Sequence, residues 1–180
     1  MKVKVADLEF ETLITQLEIQ NRIEALGREL SRDYNGKSPL FLGVLNGSFI
    51  FMADLLRAVD IPCEVTFTKL ASYFGGTTTT RNVRSDIELA VDIRDRHVIV
   101  AEDIIDSGNT LAYLVERLKV LKPASIKVCT LLSKPDAIEI QIPELAYTGF
   151  EIANEFVVGY GLDYKEQGRN LKEIYRLVGE

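Results

Sequence analysis

His97-Val-Ile-Val-Ala-Glu-Asp-Ile-Ile-Asp-Ser-Gly-Asn-Thr-Leu111 is the stretch on which the fold turns. Its first five residues form a nearly continuous apolar run, as a strand buried on both faces requires. Leu111 then joins Leu114, Val115 and Leu118 at helical spacing, and this helix stops before Pro123. Residues 126–132 are mostly apolar again and read as the next strand, completing a strand–helix–strand unit. A similar unit lies upstream. Residues 40–45 are a buried-strand run, Asn46-Gly47-Ser48 a turn, and Phe49, Met52, Leu55, Leu56 and Val59 a helix closed by Pro62. Residues 63–74 alternate into a second strand. Further out, Ile19, Ile23, Leu26 and Leu30 predict a first helix over roughly 12–33. The last third is less regular, with a strand-like 155–160 and a polar tail.

Two right-handed crossovers between buried strands predict an α/β fold: a mostly parallel sheet flanked by helices on both faces. Ligands of such sheets bind beyond the carboxyl ends of the strands. That rule selects Asn46-Gly47-Ser48, Lys134 and above all residues 102–110. Residues 75–86, with Gly75-Gly76 and four consecutive threonines, predict a long mobile loop, of the kind that is usually functional or disordered.

Composition bounds the rest. With 180 residues and no linker, the chain is expected to be one domain, 1–180. Hydrophobic residues make up 47% and charged residues 27%, which excludes intrinsic disorder. A net charge of −6 gives no general footprint for nucleic acid. Cys63 and Cys129 stand far apart in apolar runs, so neither a disulfide framework nor a C-x-x-C metal site is expected. The N-terminus does not read as a signal peptide, and no apolar run approaches the ~20 residues of a membrane helix. A reduced, cytoplasmic setting follows as an expectation, with no membrane partner.

The chemistry concentrates at Glu102, Asp103 and Asp106, three carboxylates at the mouth of a buried strand. Two such charges about 4 Å apart repel by ~1 kcal/mol in water and ~4 near a protein surface, so a compensating cation or ligand is expected. Ser107-Gly108-Asn109-Thr110 adds hydroxyls and backbone amides at a helix start, an anion cradle. Acids beside an anion site suit a phosphorylated ribose with magnesium nearby. As a bare spacing, Asp-x-Ser-Gly-x-Thr is equally an N-cap and turn; the strand before it and the helix after it favour the ligand.

The segment from Val98 to Leu111 closely resembles the phosphoribosyl-diphosphate (PRPP) motif of type I phosphoribosyltransferases, and Glu-Asp-Ile-Ile-Asp is similar to their hypoxanthine/guanine branch. Further segments agree in order: Gly47-Ser48-Phe49, Phe51 to Leu55, Ser72-Tyr73, Leu131 to Pro135, Gly149 to Ile152, Phe156 to Tyr164 and Arg169-Asn170-Leu171. The resemblance implies a small irregular hood built from the N- and C-terminal segments. It implies transfer of 5-phosphoribosyl from PRPP to a 6-oxopurine, with Mg2+ as cofactor, in a homo-oligomer (dimer or tetramer). Glu102 and Asp103 would engage the ribose hydroxyls and Mg2+, with Asp163 as a further metal ligand. Asp106 would be the catalytic base near purine N7, and Ser107, Gly108, Asn109 and Thr110 would hold the 5′-phosphate. Asn46, Gly47 and Arg169 would meet diphosphate. Lys134 would donate to the 6-oxo group, Phe156 would stack on the base, and the Val157 backbone would meet its edge. Ser72 and Tyr73 would open the lid.

One departure stands out: Asn46 occupies a position where many relatives carry lysine, and the resemblance allows a cis peptide at Asn46-Gly47. Two other readings compete. A non-catalytic RNA-binding regulator of the same fold would keep residues 102–110 but add a basic face. A transferase for a pyrimidine would lack the Leu-Ser-Lys-Pro and Phe-Val-Val-Gly segments. Xanthine stays open as an accepting base.

Overall fold

A computed structural model describes residues 1–69, 89 and 91–179. The expected lid residues Ser72 and Tyr73 lie outside the described residues, as does the threonine run.

The chain opens with strands, not a helix. β1 (Lys2–Val5) and β2 (Leu8–Ile14) pair antiparallel. The helix expected from residue 12 begins at Gln16 and runs as α1 (Gln16–Asp33). The boundary has a local cause. The Thr15 N–H donates to Glu18 Oε2 at 2.8 Å, and Thr15 Oγ1 accepts from the Glu18 N–H at 3.4 Å. This reciprocal capping box fixes the first helical turn. Before it, Leu8 and Phe10 pack in one small core with Tyr175 while Glu9 between them is exposed, the two-residue period of a strand. A register shift between Thr12 and Ile14 hands Ile14 to the core under α1.

The main layer is a five-stranded parallel sheet in the order β4-β3-β5-β6-β7. Its strands are β3 (Leu40–Leu45), β4 (Glu64–Lys69), β5 (His97–Ile105), β6 (Ser125–Ser133) and β7 (Leu145–Glu151). Helix α2 (Phe49–Ala58) joins β3 to β4, and α3 (Asn109–Val120) joins β5 to β6. Side chains alternate between two cores. Phe41, Ile99, Ala101, Cys129 and Leu131 pack with α1 and α2. Leu40, Leu42, Val98, Val100 and Val128 pack with Leu111, Leu114, Val115 and Leu118 of α3. Both faces are thus covered, as the apolar runs predict.

The N- and C-terminal segments meet in a small antiparallel sheet, ordered β1-β2-β9-β8, with β8 (Val157–Val158) and β9 (Ile174–Leu177). This hood is more regular than expected, although β8 is shorter than the strand-like 155–160. Tyr160 takes φ +50 between Gly159 at +98 and Gly161 at +104, which ends the strand. No helix among the described residues is long and apolar enough to cross a membrane.

Candidate functional site

The strand order sets the location. The crossover from β3 runs outward to β4, and the crossover from β5 runs the opposite way to β6. The crevice at such a switch point lies between the carboxyl ends of β3 and β5. Pairing of these strands ends at Gly43 and Ala101, whereas the strands continue to Leu45 and Ile105. They therefore part where Asn46, Gly47, Glu102 and Asp103 follow.

Gly47 and Asp103 touch across this gap. A Cβ on Gly47 would lie 1.5 Å from Asp103 Oδ2. Gly161 closes the third side, since a Cβ there would lie 2.1 Å from the Gly47 carbonyl oxygen. The cis peptide falls at Leu45–Asn46, one bond earlier than the expected Asn46–Gly47. Asn46 itself is exposed.

Glu102 is 9% exposed and Asp103 half-buried. Burial, then the neighbouring Asp103 charge, pushes the Glu102 carboxyl well above the usual carboxylate range. Burial also raises Asp103, while the hydrogen bond from the Ile104 N–H at 2.9 Å and the Arg169 charge oppose the rise. Two crowded carboxylates suit a divalent cation. Mg2+ takes one or two carboxylates and completes its shell with water and substrate phosphates, so the pair fits it. Among the described residues no three acidic, histidine or cysteine side chains converge as a metal cage.

The same crowding predicts a stability effect. Because the folded Glu102 holds its proton more tightly than the unfolded chain does, the folded state binds more protons above the ordinary carboxylate range. Stability then falls as pH rises through the raised value. Glu102→Gln should remove that slope and raise stability near pH 8 by about 1–2 kcal/mol. Thermal melts of both proteins at pH 5 and pH 8 check this; an unchanged or lower midpoint for the variant at pH 8 contradicts it.

The helix after this loop is left open at its start. α3 follows Gly108 at φ +83, has no side-chain cap and no acid in its first turn. Among the described residues the Thr110 and Leu111 amides find no protein acceptor, unlike the self-capped α1. Ser107 Oγ accepts from the Asn109 side-chain amide at 3.0 Å, and that amide also donates to Glu139 Oε2 at 2.9 Å. Residues 106–110 and Glu102 line a cleft of about 960 Å3, together with Glu139 and Asn154.

Lys134 lies at the end of β6 and is only 6% exposed. Its Nζ sits 3.3 Å from Asp106 Oδ2 and 3.5 Å from Asn154 Oδ1. A solvated lysine is thereby ruled out. Asn154 and Glu139 were not singled out in the sequence; each is one polar residue in a loop, without periodicity or spacing to mark it. Phe156 stays 38% exposed, with its ring 6.1 Å from Phe10 and 5.7 Å, edge-on, from Tyr164. Val157 stands opposite Arg176, while the adjacent Leu177 N–H donates to the Phe156 carbonyl. Bonded and non-bonded pairs alternate in an antiparallel ladder. The Val157 N–H and C=O therefore turn to the outer edge of β8, the last strand of its sheet.

Arg169 and Asp163 are brought together. Arg169 Nη2 lies 2.6 Å from Asp163 Oδ1, and Nη1 donates to the Gly161 carbonyl at 2.8 Å. Arg169 lines a second cleft of about 780 Å3 with Lys4, Phe49 and Asn170. The expected site residues thus spread from the α3 cradle, past the Glu102–Asp103 pair, to Arg169.

Comparison with known proteins adds an independent line. Residues 12–165 match the phosphoribosyl transferase domain family. The chain is 48% identical over 164 residues to the bifunctional protein TilS/HprT of Listeria monocytogenes, covering 91% of this chain and 25% of that protein. It thus spans a quarter of that relative's length. It is 45% identical over 170 residues to hypoxanthine phosphoribosyltransferase of Salmonella typhimurium, covering 93% of this chain and 95% of the relative. A crystal structure of a hypoxanthine phosphoribosyltransferase from Staphylococcus aureus superposes with a TM-score of 0.85 at 41% identity, covering 93% of this chain and 90% of that one.

Proposed function

The chain belongs to the phosphoribosyl transferase family, and from that premise we propose that it transfers the 5-phosphoribosyl group of PRPP to hypoxanthine or guanine. The products are IMP or GMP and diphosphate, a purine-salvage reaction. The observation that carries this reading is Lys134, an ammonium buried beside Asp106. Its two partners, Asp106 and Asn154, both line the cleft that ends at the open start of α3. A buried cation next to a phosphate cradle suits a ligand with a carbonyl at one end and a phosphate at the other.

Residues 107–110 hold the 5′-phosphate, with the Thr110 and Leu111 amides donating to it. Glu102 and Asp103 engage the ribose hydroxyls and stabilise positive charge on the sugar as the C1′–oxygen bond stretches. Glu102 and Asp103 would also hold Mg2+, which would supply charge neutralisation to the departing diphosphate. Gly47 and Arg169 face that leaving group. Lys134 donates to the purine 6-oxo group, Phe156 stacks on the ring, and the outward Val157 backbone meets its edge. Asp106, close to Lys134, takes the proton from N7 as N9 bonds to C1′. Asp163 steadies Arg169 through their ion pair. The exposed apolar side chains Val65 and Phe67, on one face of the edge strand β4, support self-association into a dimer or tetramer. The whole chain acts as one domain, and its free cysteines suit the cytoplasm.

The test is turnover of the purified protein with PRPP, Mg2+ and each of hypoxanthine, guanine, xanthine and adenine. Nucleotide formation with hypoxanthine or guanine is expected, with kcat/KM for adenine lower by ~10²-fold or more. No nucleotide from any of the four would overturn the reading.

A further inference from the structure

Tyr160 stands between two glycines in a left-handed conformation of its own, at φ +50. Such a backbone is uncommon for a bulky residue, and contacts around it can hold it there. Two contacts do so here. The Tyr160 N–H donates to the Leu171 carbonyl at 2.9 Å, and the Tyr160 hydroxyl reaches across to Asp54 Oδ2 of α2. Tyr160 is 6% exposed, and the carboxylate of Asp54 is the partner of its hydroxyl.

We propose that Asp54 and Tyr160 form a latch that holds the base-side segment 156–161 and the loop at Gly47 as one unit, making both residues positioning residues for diphosphate binding. The inference rests on the phosphoribosyl-transfer reading and extends it. The next residue, Gly161, packs against the Gly47 carbonyl with no room for a Cβ. The Gly161 N–H donates to the Arg169 carbonyl at 2.9 Å, and its own carbonyl receives the Arg169 guanidinium at 2.8 Å. Arg169 in turn faces Asp163 and acts on Asp103. α2, which carries Asp54, begins directly after Asn46-Gly47-Ser48. The latch therefore ties the far end of the Gly47 loop to the loop that aims Arg169. Phe156 and Val157 lie four and three residues before Tyr160 on the same segment, so a base seated there and a diphosphate at Gly47 bear on one rigid piece.

Tyr160→Phe removes the donor and Asp54→Ala the acceptor, while Asp54→Asn keeps an acceptor oxygen. Asp54 is on the partly exposed side of α2, so its variants fold even where Tyr160→Phe does not. The expected result is a KM for PRPP and a Ki for diphosphate raised about tenfold in Tyr160→Phe and Asp54→Ala. The Kd for IMP, which carries no diphosphate, should stay within about twofold, and Asp54→Asn should fall between these variants and the parent. The double variant should be no worse than either single one, as expected for two halves of one contact. An equal loss for IMP and PRPP, or additive losses in the double variant, assigns the bond to general stability and overturns the latch. If the parent protein binds neither PRPP nor diphosphate with Mg2+, the functional reading fails and the latch with it. If the parent binds both and the variants bind them equally well, the latch alone fails.

Discussion

Gly47→Ala should cost about 10³-fold in kcat/KM for PRPP while the protein stays folded. The added methyl would sit 1.5 Å from Asp103 Oδ2 and 2.4 Å from its carboxyl carbon. No rotation of a flexible tip relieves this, because Asp103 Oδ1 is held by the Ile104 N–H at 2.9 Å. Retreat of the Gly47 loop is opposed too, since Gly161 already packs on its carbonyl oxygen. On the proposed reading, either the Asp103 carboxylate leaves the place where it would meet the ribose, or the loop leaves the place where it would meet diphosphate. A misplacement of about 1 Å costs ~10²-fold or more in an enzyme that works by positioning, and here two groups are misplaced together. Gly36→Ala supplies the contrast. Its Cβ would meet nothing within 4 Å, although its φ of +74 resists a side chain. That change should cost about 1–2 kcal/mol of stability and leave PRPP kinetics unaltered. Steady-state kinetics and thermal melts of the two variants separate the effects. Retention of PRPP turnover within tenfold in Gly47→Ala would show that the loop does not meet Asp103 as described.

How much of this site could be read in advance depended on the kind of signal each residue carries. Residues 97–111 were legible because a doubly covered strand must be apolar throughout, and its abrupt end in three acids is visible as a change in composition. The α1 core positions were legible for the same reason, by their period. β2 was not. Leu8 and Phe10 alternate, but Leu13 breaks the alternation, and its spacing of four from Leu17 mimics a helical turn. Thr15 and Glu18 held the correction, as a capping box places the helix start after them. β7 escaped notice because an edge strand with Gly149 in its middle has a weak pattern and gets its definition from pairing with β6. The fold class therefore followed from local pattern, whereas the hood needed tertiary pairing between residues more than 160 apart, such as Phe10 and Leu177. Within the site, resemblance singled out Lys134 and Asp106 separately. Their closeness is a consequence of the parallel register of β5 and β6, which sets Ile105 beside Ser133 and so brings the next residues together.

That closeness makes Lys134→Met the other large expected effect. Lys134 is 6% exposed, and its ammonium has Asp106 and Asn154 as partners in place of most of its water. Asp106 has a side chain 60% exposed and is rehydrated easily when its partner is removed. Losing the cation therefore strands no buried charge, and a methionine of similar length fills the space. Stability should change by less than about 1.5 kcal/mol in either direction. Catalysis should behave otherwise. A site built to donate a hydrogen bond to a substrate oxygen loses ~10²–10⁴-fold when the donor is deleted, since the carbonyl then enters without a partner. Hypoxanthine and guanine kcat/KM should both fall by that factor, the gap to adenine should narrow, and the Kd for PRPP should remain within about threefold. The proposed reading thus separates the two halves of the ligand in one variant: Lys134 would govern the base, and the α3 cradle with Gly47 would govern the phosphates. An equal loss in PRPP binding would move Lys134 to the diphosphate side. Oxopurine turnover within threefold of the parent would leave the buried ammonium as no more than a partner that fixes Asp106.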